Sequence, residues 1–471
     1  MSTESTKDSQ THKLVMLTKE EASEKQLPNM SKPTLNLLAS TTNPNSDLPT
    51  KKDRDPRNCD APFFKSAQWT ADGTTLLTLT SSPAINSYVL PSDLLTSSNS
   101  PLSSASCLLL PEPTSTFAPC PYFSLSNPPT QCLLAASTDH PIHLQSIFPP
   151  SHPIPPLASF FLIKPETEAY LPITSLIWPS PGSHFIVGTT NLLAVFDVSR
   201  PDNLSSEPLL RVPTIPSTRH ISKGNGIGMR GTVSALSLQQ TNDQEGGMLA
   251  AGTWTRWIGL YDIYRSGSVI ANFSVKPGVE EAKIGGRGVV QTIWSPCGRY
   301  LVVNERGSEG LLVYDVRGTH KLLGWLSGRD GTTNQRLSVD VFPASVGGFE
   351  VWAGTKSGKA VVYEGVGMAE GETKPSWEWG VNNKGESAVG AAAMHSSGSV
   401  LATCSGSWKV GGDDSSSDDS ESDSEENESP LGSKPAFVVE ETSLKIWSIN
   451  ASNASSEQEF GPLEGEVEEK E

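Results

Sequence analysis

The chain repeats one pattern seven times, and that repetition restricts its fold more than any other feature. Each unit is an apolar run ending in small or hydroxyl residues, then a turn, then a short alternating strand. The runs fall at 76–82, 132–139, 184–191, 248–255, 300–307, 350–358 and 400–407. Their partners fall at 84–90, 141–147, 192–198, 258–264, 311–317, 360–365 and 444–450. One position in the partner recurs as Tyr88, Gln145, Phe196, Tyr261, Tyr314, Tyr363 and Trp447, aromatic everywhere except at Gln145. Successive units lie 49 to 84 residues apart, more than the roughly 40–45 of a minimal four-stranded unit. Each excess coincides with a visible insertion.

Most pairs are preceded by a further strand, at 63–73, 173–182, 231–238, 288–298, 336–344 and 387–398, and several of these end in Asp-Gly, Pro-Gly, Cys-Gly or Ser-Gly. Such dipeptides tolerate the positive φ of tight hairpins. A fourth strand fits between units at 107–110, 157–163, 208–212, 269–275, 321–327 and 376–381, while 91–120 and 149–157 read as long Pro/Ser-rich loops. No unit can bury its faces alone, so the units must stack around a common axis. Four strands in each of seven units predict an all-β, seven-bladed β-propeller over 61–450, favoured over an array of β-sandwiches. After Trp447 the chain turns polar, leaving the last blade short of an outer strand. The arm 34–60 is expected to supply one, through Thr34–Ser40.

Charge separates body from appendages. Of 52 acidic residues, 18 lie from 413 onward against 3 basic ones, so most of the net charge of −17 sits outside the blades. The N-terminal segment 1–33, the acidic-serine insertion 411–430 in blade seven and the acidic tail 451–471 carry too little apolar surface to fold, and are expected to be disordered. Residues 19–27 could form a helix only on binding. The serines of the insertion suit an acidophilic kinase. The opening residues lack the apolar core of a secretory signal, and no apolar run reaches membrane-spanning length. Six scattered cysteines without CxxC predict neither a disulfide framework nor a zinc module. Together these features predict a soluble, intracellular chain.

Catalytic patterns are missing. Gly226–Gly231 matches GxGxxG, but a strand follows where a dinucleotide site needs a helix. Residues 354–359 lack P-loop spacing, and no nucleophile elbow or kinase set occurs. His140 and His143, three apart, fall on opposite faces of a strand and converge poorly on a metal. No enzyme activity, metal, cofactor or small-molecule substrate is expected. A rigid ring with binding loops remains. Basic residues cluster before blade one (Lys51, Lys52, Arg54, Arg57) and between blades three and four (Arg211, Arg219, His220, Lys223, Arg230). Such residues can hold phosphates while aromatics stack on unpaired bases.

Three stretches resemble one WD-repeat family, the telomerase Cajal body protein family, and most of all its fungal branch linked to pre-mRNA splicing. They are 63–91, 137–148 with its Asp-His-Pro-Ile-His, and 322–344 with its Thr-Thr-Asn-Gln-Arg. Aromatic-Asp pairs at Phe196-Asp197, Tyr261-Asp262 and Tyr314-Asp315 stand where WD40-type repeats carry Trp-Asp. The resemblance implies a nuclear scaffold that binds small nuclear or Cajal-body-type RNAs and RNP proteins, acting as a monomer within a larger complex. By position it implies an RNA or partner surface at Thr332, Thr333, Asn334, Gln335 and Arg336, then at His140, Pro141, Ile142 and His143. Arg219, Lys223 and Arg230 join them as basic candidates. Arg336 is the sharpest, because a planar guanidinium matches both phosphate and guanine. A protein-only adaptor in a chromatin or ubiquitin complex is the alternative.

Overall fold

The computed structural model describes residues 33–42, 62–96, 98–149, 155–199, 207–215, 228–240, 247–265, 267–318, 321–344, 347–382, 387–410, 437–439 and 441–450. The calls on 1–32, 43–61, the acidic insertion and the tail 451–471 lie outside these residues. Leu35–Asn450 form one compact unit; the second, Met1–Thr34 with Ala451–Glu471, is almost wholly outside them.

The chain builds a seven-bladed β-propeller. Each blade is a sheet with four strands in order, here called inner, second, third and outer. The inner strands are Phe64–Trp69, Thr114–Pro119, Ser175–Ile177, Val233–Leu238, Val289–Trp294, Val339–Pro343 and Val389–Met394. The inner strand of blade two and a short strand at Ser100–Pro101 both fall inside 91–120, read from sequence as loop. Proline and serine hide them: Thr114–Pro119 alternates weakly and ends in Pro, so periodicity alone misses it. Blade seven takes its outer strand from the other end of the molecule, in the order Val389–Met394, Val400–Ser405, Ser443–Asn450, Thr34–Thr41. A short helix, Lys276–Ala282, joins blades four and five.

The recurring aromatic position explains the regularity. In all seven blades it sits opposite an apolar residue of the second strand: Leu76↔Tyr88, Leu133↔Gln145, Phe185↔Phe196, Leu249↔Tyr261, Leu301↔Tyr314, Val351↔Tyr363 and Leu401↔Trp447. Tyr88, Phe196, Tyr261, Tyr314 and Tyr363 are fully buried between blades. Rings of this size fill the wedge that opens as blades fan outward. Gln145 is buried in the same place, and its Oε1 has no hydrogen-bond partner.

Polar residues near the axis have a separate task. Ser115 Oγ donates to the Ile173 carbonyl at 2.6 Å, Ser175 Oγ to Val233 at 2.7 Å, Ser234 Oγ to Val289, Gln291 Nε2 to Val339 at 2.8 Å and Ser338 Oγ to Gly390 at 3.0 Å. Each bond ties the start of one inner strand to the next blade. β-Bulges at the starts of five inner strands, between Phe64/Ser66, Thr114/Thr116, Val233/Ala235, Val289/Gln291 and Val389/Ala391, turn the bulged residue out of the ladder. Bulges re-aim side chains in this way.

Candidate functional site

All these seams lie at one end of the central channel, where the inner strands begin. The antiparallel register places the end of each second strand there too, as Val289↔Glu305 shows in blade five. Three basic side chains converge at this mouth. Lys65 occupies the bulged position of blade one, Arg306 follows the second strand of blade five, and Arg336 stands on the loop leading into blade six. All three line a channel cavity of about 920 Å³.

None of the three has a hydrogen-bond or ion-pair partner among the described residues. Protein walls surround Arg336, although channel water reaches it; this desolvation, with the nearby Arg306 charge, holds its pKa below the usual arginine value. Desolvation and then Arg336 do the same for Lys65, and desolvation alone for Arg306. Asp340, the one acid lining the cavity among the described residues, takes the N–H groups of Val341 (2.9 Å) and Met394 (2.8 Å), and burial pushes its pKa up to about 6. Glu305, beside Arg306 in sequence, is held in a two-pronged ion pair with Arg256 at 2.9 and 2.8 Å.

Aromatics frame the same mouth. The Arg306 guanidinium lies 4.5 Å above the Trp254 ring centroid, and Trp254 remains 44% exposed. Trp408 is 38% exposed and meets Phe63 edge-on at 5.6 Å.

The predicted residues divide by position. Thr333, Asn334, Gln335 and Arg336 line the cavity, whereas Thr332 is exposed beside Asp330 and does not. Thr333 Oγ1 accepts the Gln335 N–H at 3.1 Å, and Gln335 Nε2 donates to the Gly406 carbonyl at 2.8 Å, binding the loop to blade seven. Asn334 is exposed, its Oδ1 accepting from Arg287 at 3.4 Å. Arg230 is exposed immediately before the inner strand of blade four, so it joins the same end of the ring; Arg219, His220 and Lys223 lie outside the described residues, as do Lys51, Lys52, Arg54 and Arg57. His140 and Pro141 lie in the turn before the third strand of blade two, and only Ile142 and His143 are in it. Thr114↔Ser137 puts that turn at the same end, but the four residues stand on the blade rather than in the channel. Ile142 is core, and His143 Nδ1 faces Ser159 Oγ at 3.0 Å with its pKa lowered by desolvation and then by His140.

Lys65, Arg306, Trp254 and Arg329 escaped the sequence reading. Position by position, the residue after the second strand is Thr138 in blade two, Thr190 in blade three and Thr355 in blade six, but Trp254 in blade four and Arg306 in blade five. That departure was a usable signal. Arg329 had none: it is fully buried, and donates to the Gly354 carbonyl (3.0 Å), Asn304 Oδ1 (2.9 Å) and the Leu337 carbonyl (3.0 Å), pinning the loop that carries Arg336. Burial brings its pKa down to about 10.

A seven-bladed ring with seams of this kind and a basic, tryptophan-framed mouth is a WD-repeat-type propeller, a class of typically non-catalytic scaffolds. No family model matches the chain. It is distantly homologous to telomerase Cajal body protein 1, being 26% identical to the Bos taurus protein over 348 residues (73% of this chain, 58% of that protein) and 25% identical to the Homo sapiens protein over 349 residues (73% and 57%). It is also 27% identical over 283 residues to guanine nucleotide-binding protein negative regulator 1 of Schizosaccharomyces pombe, covering 59% of this chain and 65% of that protein. The chain thus spans between half and two thirds of these relatives. Among the described residues no helix is long and apolar enough to cross a membrane.

Proposed function

We propose that this propeller is a nuclear, non-catalytic scaffold that associates with small nuclear RNA or its ribonucleoprotein particles, in support of snRNP function and pre-mRNA splicing. The observation that carries the reading is the mouth where Lys65, Arg306 and Arg336, without acidic partners, adjoin the exposed rings of Trp254 and Trp408. Single-stranded RNA is held by this combination, cations on phosphates and aromatics on unpaired bases. The distant homology to a protein named for telomerase and Cajal bodies supports a nuclear setting. Apart from the residues from 413 onward the chain is nearly balanced in charge, which is compatible with a local basic patch.

Crosslinking the full-length protein in cells and sequencing the attached RNA tests the reading. Small nuclear RNA should be enriched, and purified protein should bind single-stranded RNA with an affinity that falls steeply as salt rises. Arg336→Ala should weaken retention and flatten that slope while the ring stays folded. Association that survives nuclease, for instance with a guanine nucleotide-binding protein such as the name of the S. pombe relative implies, would replace this reading with a protein-only adaptor.

A further inference from the structure

The three channel cations pose a problem that the RNA reading does not solve. Like charges gathered in a partly desolvated space destabilise the ring unless something neutralises them. Acids elsewhere in the molecule are placed to do this: Glu305 pairs with Arg256, and Asp315 with Arg299 and Arg317. Among the described residues no acid at the mouth does. Asp340 is the single described carboxylate lining the cavity, and its oxygens are taken by backbone N–H groups. Arg306 Nε is buried without a hydrogen-bond partner, so one donor stays unused even after the guanidinium stacks on Trp254. Buried donors are nearly always satisfied, and one that is not calls for an explanation, of which a bound ion is one.

The three groups come from three different blades, and the walls between them are inner strands. All three line one cavity, which a chain end or a small anion can enter and a stacked strand lying across the face cannot. The cavity of about 920 Å³ falls in the range of small-molecule pockets. Two guanidinium forks and an ammonium suit a tetrahedral group that presents several oxygens and more than one negative charge.

We propose that the channel mouth is a binding site for a compact, multiply charged phosphate, either a free polyphosphate or the terminal phosphate of an RNA, with Lys65, Arg306 and Arg336 as its cations. The site stands whether or not RNA proves to be the partner of the surrounding face. Its bound anion would neutralise the mutual repulsion and fill the vacant donor of Arg306.

Inorganic tripolyphosphate, titrated calorimetrically into the full-length protein at low salt, is the direct probe. It should bind and raise the melting temperature. Lys65→Met, Arg306→Met and Arg336→Met should each weaken binding about tenfold or more, the equivalent of a lost charge-assisted hydrogen bond, whereas Lys321→Gln on the exposed rim should bind as wild type. Without ligand, Arg336→Met should melt no lower than wild type, because it removes repulsion. A short RNA with a 5′-phosphate binding better than its 5′-hydroxyl twin, and competing with tripolyphosphate, would assign the site to RNA ends; equal binding of the two would assign it to a free anion. No heat or melting shift with tripolyphosphate, or wild-type affinity in all three Met variants, overturns the proposal. So does a lower melting temperature of ligand-free Arg336→Met, which would make these cations supports of the ring itself.

Discussion

Blades two to four and blades one, five and six face the same channel with one backbone and opposite chemistry. On the first side, Ser115, Ser175 and Ser234 stand at the starts of inner strands, and each hydroxyl donates to the carbonyl of the following blade. On the second, the equivalent bulged position of blade one holds Lys65, which makes no such bond, and the residue after the second strand of blade five is Arg306. The serine side is a sealed seam. Blades five and six are also tied to their neighbours, through Gln291 and Ser338, yet they keep charge in the channel as well. At the bulged position of blades one, two and four a single residue decides between the two outcomes, Lys65 against Ser115 and Ser234. At that position structural support and binding capacity compete.

That contrast can be broken from either side. The largest effect is expected at Arg329, which holds the basic side in register through three buried bonds. Arg329→Met removes the side-chain donor to the Gly354 carbonyl and Asn304 Oδ1 and leaves the Leu337 carbonyl with Asn304 Nδ2 alone, and should cost about 3 kcal/mol or more in urea denaturation. A loss under 1 kcal/mol would show that the loop is held by other contacts. Next comes Ser234→Ala on the sealed side, which leaves the Val289 carbonyl without that donor. It should cost about 1–2 kcal/mol and leave tripolyphosphate affinity unchanged. A change in affinity would mean that the two sides are coupled.

Lys65→Ser sharpens the comparison by converting the basic side toward the sealed one. It should raise stability by about 1 kcal/mol through a new seam bond and the loss of a desolvated charge, while weakening both RNA and anion binding. Equal stability would mean that blade one cannot accept the staple. The smallest effect concerns Asp340, whose folded pKa of about 6 lies above the ordinary 3.8. Between pH 4 and 6 the folded state then binds more protons than the unfolded chain, so this group's contribution falls as pH rises through that window and levels off above it. Subtracting the urea midpoints of Asp340→Asn from those of wild type at pH 4 to 7 should expose that decline. A flat difference curve would count against it.

The blades could be read from sequence where burial and periodicity coincide. Second and third strands covered on both faces appear as continuous apolar runs, and the wedge position from Tyr88 to Trp447 counts them. Gln145 could still be placed by its neighbours, since Leu133 opposite it keeps the pattern. The inner strand of blade two could not, because the axis favours small and hydroxyl residues there, and Thr114–Pro119 offers little hydrophobic contrast. The candidate site was harder still. Arg336 sits in a run distinctive enough to notice, but Lys65 and Arg306 are single departures inside otherwise ordinary repeats. Arg329 depends on acceptors from three distant segments, and no local pattern announces such a convergence.

The strand Thr34–Thr41 has a consequence for how the molecule comes into being. It is made before the other blade strands, and its sheet neighbours Val400–Ser405 and Ser443–Asn450 are made after six blades. Six blades can assemble during synthesis while this apolar segment waits for a partner that does not yet exist. The final sheet therefore cannot form until Ser443–Asn450 has been made, and any nascent chain stalled earlier displays an unpaired, leucine-rich strand to whatever quality-control factors are present.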